Sequence, residues 1–142
     1  MANTVLDSLM KHRTRLVGIG FAIMYLWFGT LKLFPGLSPA EALAKATLDK
    51  LTFGLVPSNI SYFVLAIWEI TIGVAFMLNI IRRGVIFLTM LHLVFTFTPL
   101  FLLPDITWQD HFLTLTLVGQ YIVKNVALFF GLLFILPERQ SA

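Results

Sequence analysis

The sequence predicts an all-α integral membrane protein: a four-helix transmembrane bundle with a short extracytoplasmic interfacial helix between the first and second spans. Two observations carry this. The 142 residues are 58% hydrophobic and only 12% charged, whereas a soluble domain carries about a quarter charged residues. The apolar residues also gather into four runs, about 16–34, 60–81, 84–103 and 112–136. Each is near or above the ~20 helical residues that cross a ~30 Å hydrocarbon layer. A large soluble protein could bury such runs in its core. A chain of 142 residues leaves too little material to cover four of them, because so small a body keeps much of its surface exposed. The missing surface polarity must therefore face lipid, and residues 1–142 read as a single domain.

The first run follows Lys11, Arg13 and Arg15 and stops at Pro35-Gly36. It is long, and Lys32 and Phe34 stand where a signal-peptide cleavage site should begin, so it reads as a retained span. Val5 and Leu9, with Lys11, His12 and Arg13, fit a stretch lying along the inner interface. In the connection that follows, Ser38-Pro39-Ala40-Glu41 reads as an N-cap, an N1 proline and a capping-box glutamate. These residues open a surface helix that ends near Gly54 and Pro57. The second and third runs are joined by a tight Arg82-Arg83 turn. Pro99, near the outer end of the third, predicts a kink that frees a carbonyl near Phe95. Threonines within the runs are expected to bond to their own backbone or to a neighbouring helix. The link to the fourth run has Asp105 and Asp110 but no Lys or Arg. The positive-inside rule then puts both termini and the Arg82-Arg83 turn in the cytoplasm. Trp27, Phe28, Tyr62, Trp68 and Trp108 fall toward the outer ends as interface anchors. Gly18, Gly20, Gly29, Gly73, Gly119 and Gly131 mark places where helices approach closely.

Several chemistries are excluded. Without cysteine there is no disulfide, thiol catalysis or thiolate metal site. The net charge of +3 sits in short clusters at span ends rather than along a stripe, which argues for lipid headgroups and against nucleic acid. His12, His92 and His111 fall at the inside, the midplane and the outside, so they cannot share a metal or a haem. Glycine-rich nucleotide loops, HExxH and GxSxG are absent.

The informative residues are Lys32, Glu69, His92, Gln120 and Lys124. Counting inward at helical rise puts Glu69 about 14 Å, His92 about 17 Å and Lys124 about 18 Å from the outer boundary. Three helices thus bring an acid, an imidazole and a base to one level, with Gln120 one turn nearer the outside. A lysine at such depth costs roughly 2.5–3.5 kcal/mol on insertion scales, so partners are expected. The simplest arrangement is a Glu69–Lys124 ion pair with His92 and Gln120 hydrogen-bonded to it. Lys32, three residues from Pro35, either snorkels outward or reaches down to the cluster. Two readings stay open: a buried electrostatic staple, or a pocket that handles a polar small molecule, a quinone headgroup or protons.

The stretch Gly20-Phe21-Ala22-Ile23-Met24-Tyr25-Leu26-Trp27-Phe28-Gly29-Thr30-Leu31-Lys32-Leu33-Phe34-Pro35-Gly36 resembles the first-helix signature of the DoxX-like membrane family. There an aromatic–glycine segment runs into a lysine and an aromatic. The resemblance extends through the loop helix, an acid in the second span (Glu69) and the basic turn. It implies a compact four-helix module of the bacterial inner membrane, associated with redox and oxidative-stress systems and with the membrane part of a thiosulfate:quinone oxidoreductase. It makes Lys32 and Glu69 the first residues to test and supplies no catalytic mechanism. The expected function is a small subunit that binds a quinone or other amphiphile within a homo-oligomer or larger membrane complex. Glu69 and His92 would exchange protons, Lys124 and Gln120 would orient a carbonyl or anionic oxygen, and Lys32 would guard the outer mouth. A small-solute transporter and a purely structural or assembly subunit are the alternatives.

Overall fold

A computed structural model describes residues 10–111 and 113–136. The helices, in order, are α1 (Arg13–Leu31), α2 (Glu41–Leu51), α3 (Ser58–Met77), α4 (Arg83–Phe97), α5 (Pro99–Leu102), α6 (Pro104–Thr107), α7 (Leu117–Val123) and α8 (Asn125–Leu133). Helices α4 and α5 form one apolar rod over Arg83–Leu102, and α7 and α8 form a shorter one over Leu117–Leu133. Among the described residues, three helices are long and apolar enough to cross a membrane, namely Arg13–Leu31, Ser58–Met77 and Arg83–Leu102. The molecule is a multi-pass, all-α bundle of the membrane type. Trp27, Phe63, Phe87 and Phe130 all lie more than half exposed, a surface suited to hydrocarbon rather than water.

Helices α1 and α3 form the most extensive contact, and two glycines explain why. A β-carbon at Gly29 would stand 3.1 Å from Glu69 Cβ, and one at Gly73 would stand 2.8 Å from the Leu26 amide nitrogen. Only hydrogen fits there, so the two backbones nearly touch. Gly18 and Gly119 are also crowded, whereas Gly20 and Gly131 face open space, contrary to expectation. Phe21, Ala22, Tyr25, Ile72, Phe76, Ile86, Leu93, Leu132 and Ile135 make the core.

The helical hydrogen-bond ladder is interrupted at Pro99, and the carbonyl it frees is that of Phe95. Proline has no N–H for the Phe95 carbonyl four residues back, which instead accepts from the Thr98 hydroxyl at 2.7 Å and the Thr98 amide at 3.1 Å. Thr89 and Thr96 likewise donate to backbone carbonyls one turn back.

Two boundaries differ from expectation. Helix α2 begins at Glu41 with Ala40 as its N-cap, and the Ser38 hydroxyl caps nothing. The Glu41 carboxylate reaches past Ser38 to the Gly36 amide at 2.8 Å, because the chain turns tightly through Gly36 at φ +79°. The last rod starts at Leu117 rather than near 112. Thr116 caps it by accepting from the Gly119 amide at 3.2 Å. The preceding chain is committed to a turn, with Leu113 at φ +59° and a bridge pairing Trp108 with Leu115. Phe112, Val5 and Leu9 lie outside the described residues.

Candidate functional site

Positions Phe21, Tyr25 and Lys32 recur at spacings of four and seven along the first span, which keeps them on one helix face. That face is turned to α3, where Tyr62, Glu69 and Phe76 form the matching stripe at seven-residue intervals. The glycine crossing at Gly29 brings the two stripes together beside Glu69.

At the meeting point lies a buried chain of four polar side chains. Lys32 Nζ stands 2.7 Å from Glu69 Oε2, with both side chains below a tenth exposed. The same ammonium donates to the Phe28 carbonyl at 3.4 Å, so Lys32 reaches down rather than out. The other carboxylate oxygen, Oε1, lies 3.1 Å from His92 Nε2, and His92 Nδ1 lies 3.0 Å from the Tyr25 hydroxyl. A carboxylate paired with an ammonium only accepts, so Nε2 carries hydrogen. In a neutral imidazole Nδ1 then accepts, and Tyr25 donates to it. All donors therefore point toward Glu69, and the Lys32–Glu69 charges cancel. If the imidazole is protonated, Nδ1–H donates to the Tyr25 oxygen, and the tyrosyl hydrogen is free for another acceptor.

Aromatic edges wall the imidazole. Tyr25 packs edge-on at 5.2 Å between centroids, and Trp68 at 5.8 Å. Trp68 Nε1 is buried without a hydrogen-bond partner among the described residues, an unsatisfied donor of the kind that costs about 1–3 kcal/mol.

The expected Glu69–Lys124 ion pair is not formed: Glu69 pairs with Lys32. Lys124 is exposed at the junction of α7 and α8, its ammonium 3.9 Å from the centre of the Tyr121 ring. The reason is azimuth. Ile122 faces the core, and two residues of helix turn a side chain through about 200°, so Gln120 and Lys124 both point away from it. The lysine stem leans toward the helix N-terminus, as a snorkelling residue does. Gln120 is also exposed and donates to the Leu115 carbonyl at 3.4 Å. Of the five singled-out residues, the fold thus brings together Lys32, Glu69 and His92.

Tyr25 and Trp68 join the site without having been singled out for it. The face shared by Tyr25, Gly29 and Lys32 was the available signal for Tyr25. Trp68 adjoins Glu69 in sequence and points about 100° away from it, yet it reaches the imidazole because α4 packs against that side of α3.

Above the chain, α2 carries its own pair. Lys45 Nζ bonds to Glu41 Oε1 at 2.7 Å and lies 5.3 Å from the Tyr62 ring centre. The Lys45 ammonium and then the Gly36 amide hold the Glu41 carboxyl below its usual range. A separate apolar crevice of about 210 Å³ opens between α1 and α8, lined by Val17, Gly20, Phe21, Met24, Ala127, Leu128 and Gly131. Among the described residues, no group of three or more His, Asp or Glu side chains gathers as a metal site.

Comparison of the chain with protein-family models, with curated proteins and with solved structures returned no match.

Proposed function

We propose that this chain is a four-span, DoxX-like subunit of a redox or quinone-linked assembly in the bacterial inner membrane. In this reading it binds a quinone or other small amphiphile and exchanges protons with it. The observation that carries the reading is the buried chain Lys32–Glu69–His92–Tyr25. Such a chain is expensive to hold in a bilayer compared with apolar side chains of the same volume. Its two hydrogen-bonding states differ by one proton on the imidazole, with the heavy atoms in the same places, and a proton-exchanging cofactor needs that property. Trp68 Nε1 offers an unused donor to a carbonyl beside the imidazole. The apolar crevice suits a hydrocarbon tail, and its wall residue Phe21 stacks on Tyr25 at 6.3 Å.

The rod Leu117–Leu133 serves as the fourth span. Its 17 residues rise about 26 Å, at the short end of what crosses a bilayer. An even number of spans with basic residues at the Arg82-Arg83 turn then puts both termini in the cytoplasm.

The test is a titration of a water-soluble ubiquinone analogue into the purified protein in lipid nanodiscs, followed by tryptophan fluorescence. Saturable quenching is expected, lost in Trp68→Phe and weakened about tenfold or more by His92→Ala, the scale of one lost hydrogen bond to a polar ligand. No saturable quenching in the wild-type protein would overturn the reading. One observation favours a second reading, a structural subunit: every polar group of the four-residue chain already has a partner within the protein. That reading predicts large stability losses from the same substitutions and no response to quinone at all.

A further inference from the structure

The crevice between α1 and α8 is lined by no polar side chain, and glycine opens it on both walls. A β-carbon built at Gly20 or at Gly131 would meet nothing within 4 Å, so the two helices stand apart along this line. In a bilayer such a gap is filled, because walls without a neighbour forfeit their dispersion contacts. What fills it is set by size, depth and charge.

Size excludes a helix. One helical turn, about 10 Å across and 5.4 Å long, occupies roughly 400 Å³, and the crevice holds about 210 Å³. A single hydrocarbon chain is narrow enough. Depth places the crevice in one leaflet. On α1 it runs from Val17 to Met24, seven residues or about 10 Å, within the ~15 Å of hydrocarbon that half a bilayer provides. It lies in the Arg13 half of α1, away from Lys32.

Charge names the headgroup. Arg13, Val17, Gly20 and Met24 follow one another at spacings of four, three and four, which keeps them on one stripe of α1. Arg13 thus stands in line with the crevice, about 6 Å beyond its Val17 end. It is exposed and has no ion-pair partner among the described residues. Arg15, two residues on, is turned about 200° away. A guanidinium holds a phosphate through paired hydrogen bonds, and the step from Arg13 to Val17 leaves room for the ester linkages that join a phosphate to its chains.

We infer that the crevice is a binding site for an anionic phospholipid of the leaflet on the Arg13 side, with one acyl chain against Gly20 and Gly131 and the phosphate on Arg13. A quinone tail entering the crevice would compete with this lipid, but the site itself does not depend on a quinone.

The test is native mass spectrometry of the delipidated protein after incubation in detergent with equal amounts of dioleoyl phosphatidylglycerol and dioleoyl phosphatidylcholine. These lipids share their chains and differ in net headgroup charge. One phosphatidylglycerol is expected to stay bound, favoured about fivefold, the scale of one basic residue at an anionic surface. Arg13→Gln is expected to abolish the preference and Arg15→Gln to keep it. Gly131→Leu, which fills the crevice, is expected to lose both lipids. No retained lipid, equal retention of the two by the wild-type protein, or equal effects of Arg13→Gln and Arg15→Gln would overturn the inference. So would a wild-type dimer that Gly131→Leu splits into monomers, since a second copy would then occupy the crevice. The arginine variants alter only exposed positions, so the outcome does not hang on the folding of Gly131→Leu. A protein that binds no quinone would give the same readings.

Discussion

Glu69 has each of its two oxygens committed to a different helix, one to Lys32 on α1 and one to His92 on α4. Removing one member of a buried ion pair strands the other charge, at a typical cost of about 3–5 kcal/mol, whereas replacing both by apolar residues is often close to neutral. Glu69→Leu is therefore expected to lower stability by about that amount in reversible detergent unfolding, and Lys32→Met/Glu69→Leu to recover most of it. A double variant as unstable as the single one would show that the ion pair is not the source of the loss. The levels of Glu69 and His92 were legible from residue counts, because helical rise converts sequence position into depth. The partner of Glu69 was not. Counting says nothing of azimuth, and Lys124, at a similar predicted depth, faces the other way. Lys32 was harder to place because a four-carbon stem near a span end can point either way, and the Glu69 carboxylate and Phe28 carbonyl decide between them.

The elements depend on where the backbone can come close. Helices α1 and α3 meet through Gly29 and Gly73, and a side chain at either site collides with backbone that cannot rotate away. Gly73→Val is expected to cost about 1–3 kcal/mol as an overpacked contact, and to weaken the Lys32–Glu69 pair by pushing the helices apart. Gly131→Ala meets nothing within 4 Å and serves as the matched control, expected to lie within about 0.5 kcal/mol of wild type. Unfolding midpoints in the same detergent system check both. The three long apolar helices were legible from their runs and flanking charges. The start of the last rod was not, because the sequence from 112 onward is apolar enough to look helical, while Leu113 and the Thr116 cap hold residues 113–116 in a turn. Ser38 also departs from the expected capping role. A capping box assumes that the carboxylate returns to the cap residue, and here the Gly36 turn presents an earlier amide.

For the whole molecule, the decisive question is how the bundle sits in the bilayer. Helix α2 and the Arg82-Arg83 turn lie at opposite ends of the α3 rod. The four-span reading predicts that Ala42→Cys and Gly84→Cys label from opposite faces of sealed vesicles. It also predicts that a green fluorescent protein fused at the C-terminus is bright in the cytoplasm while alkaline phosphatase fused there is inactive. Active phosphatase would mean that the rod Leu117–Leu133 does not cross. The class of protein was legible at this scale because lipid leaves a bulk signature in composition. The single polar line through the interior was only partly so. It depends on which faces of three helices meet, and Gly29 and Gly73, legible as places of close approach, do not say which helices they join.

The Lys32–Glu69 bond joins residues 37 positions apart, and synthesis therefore imposes an order on it. At about 5–20 residues per second, the lysine waits roughly 2 to 7 s for its acid to be made. Its place at the end of α1 lets the ammonium spend that interval among headgroups. Capture by Glu69 then requires α3 to arrive and dock along the glycine seam, so the pair closes as a latch between α1 and α3.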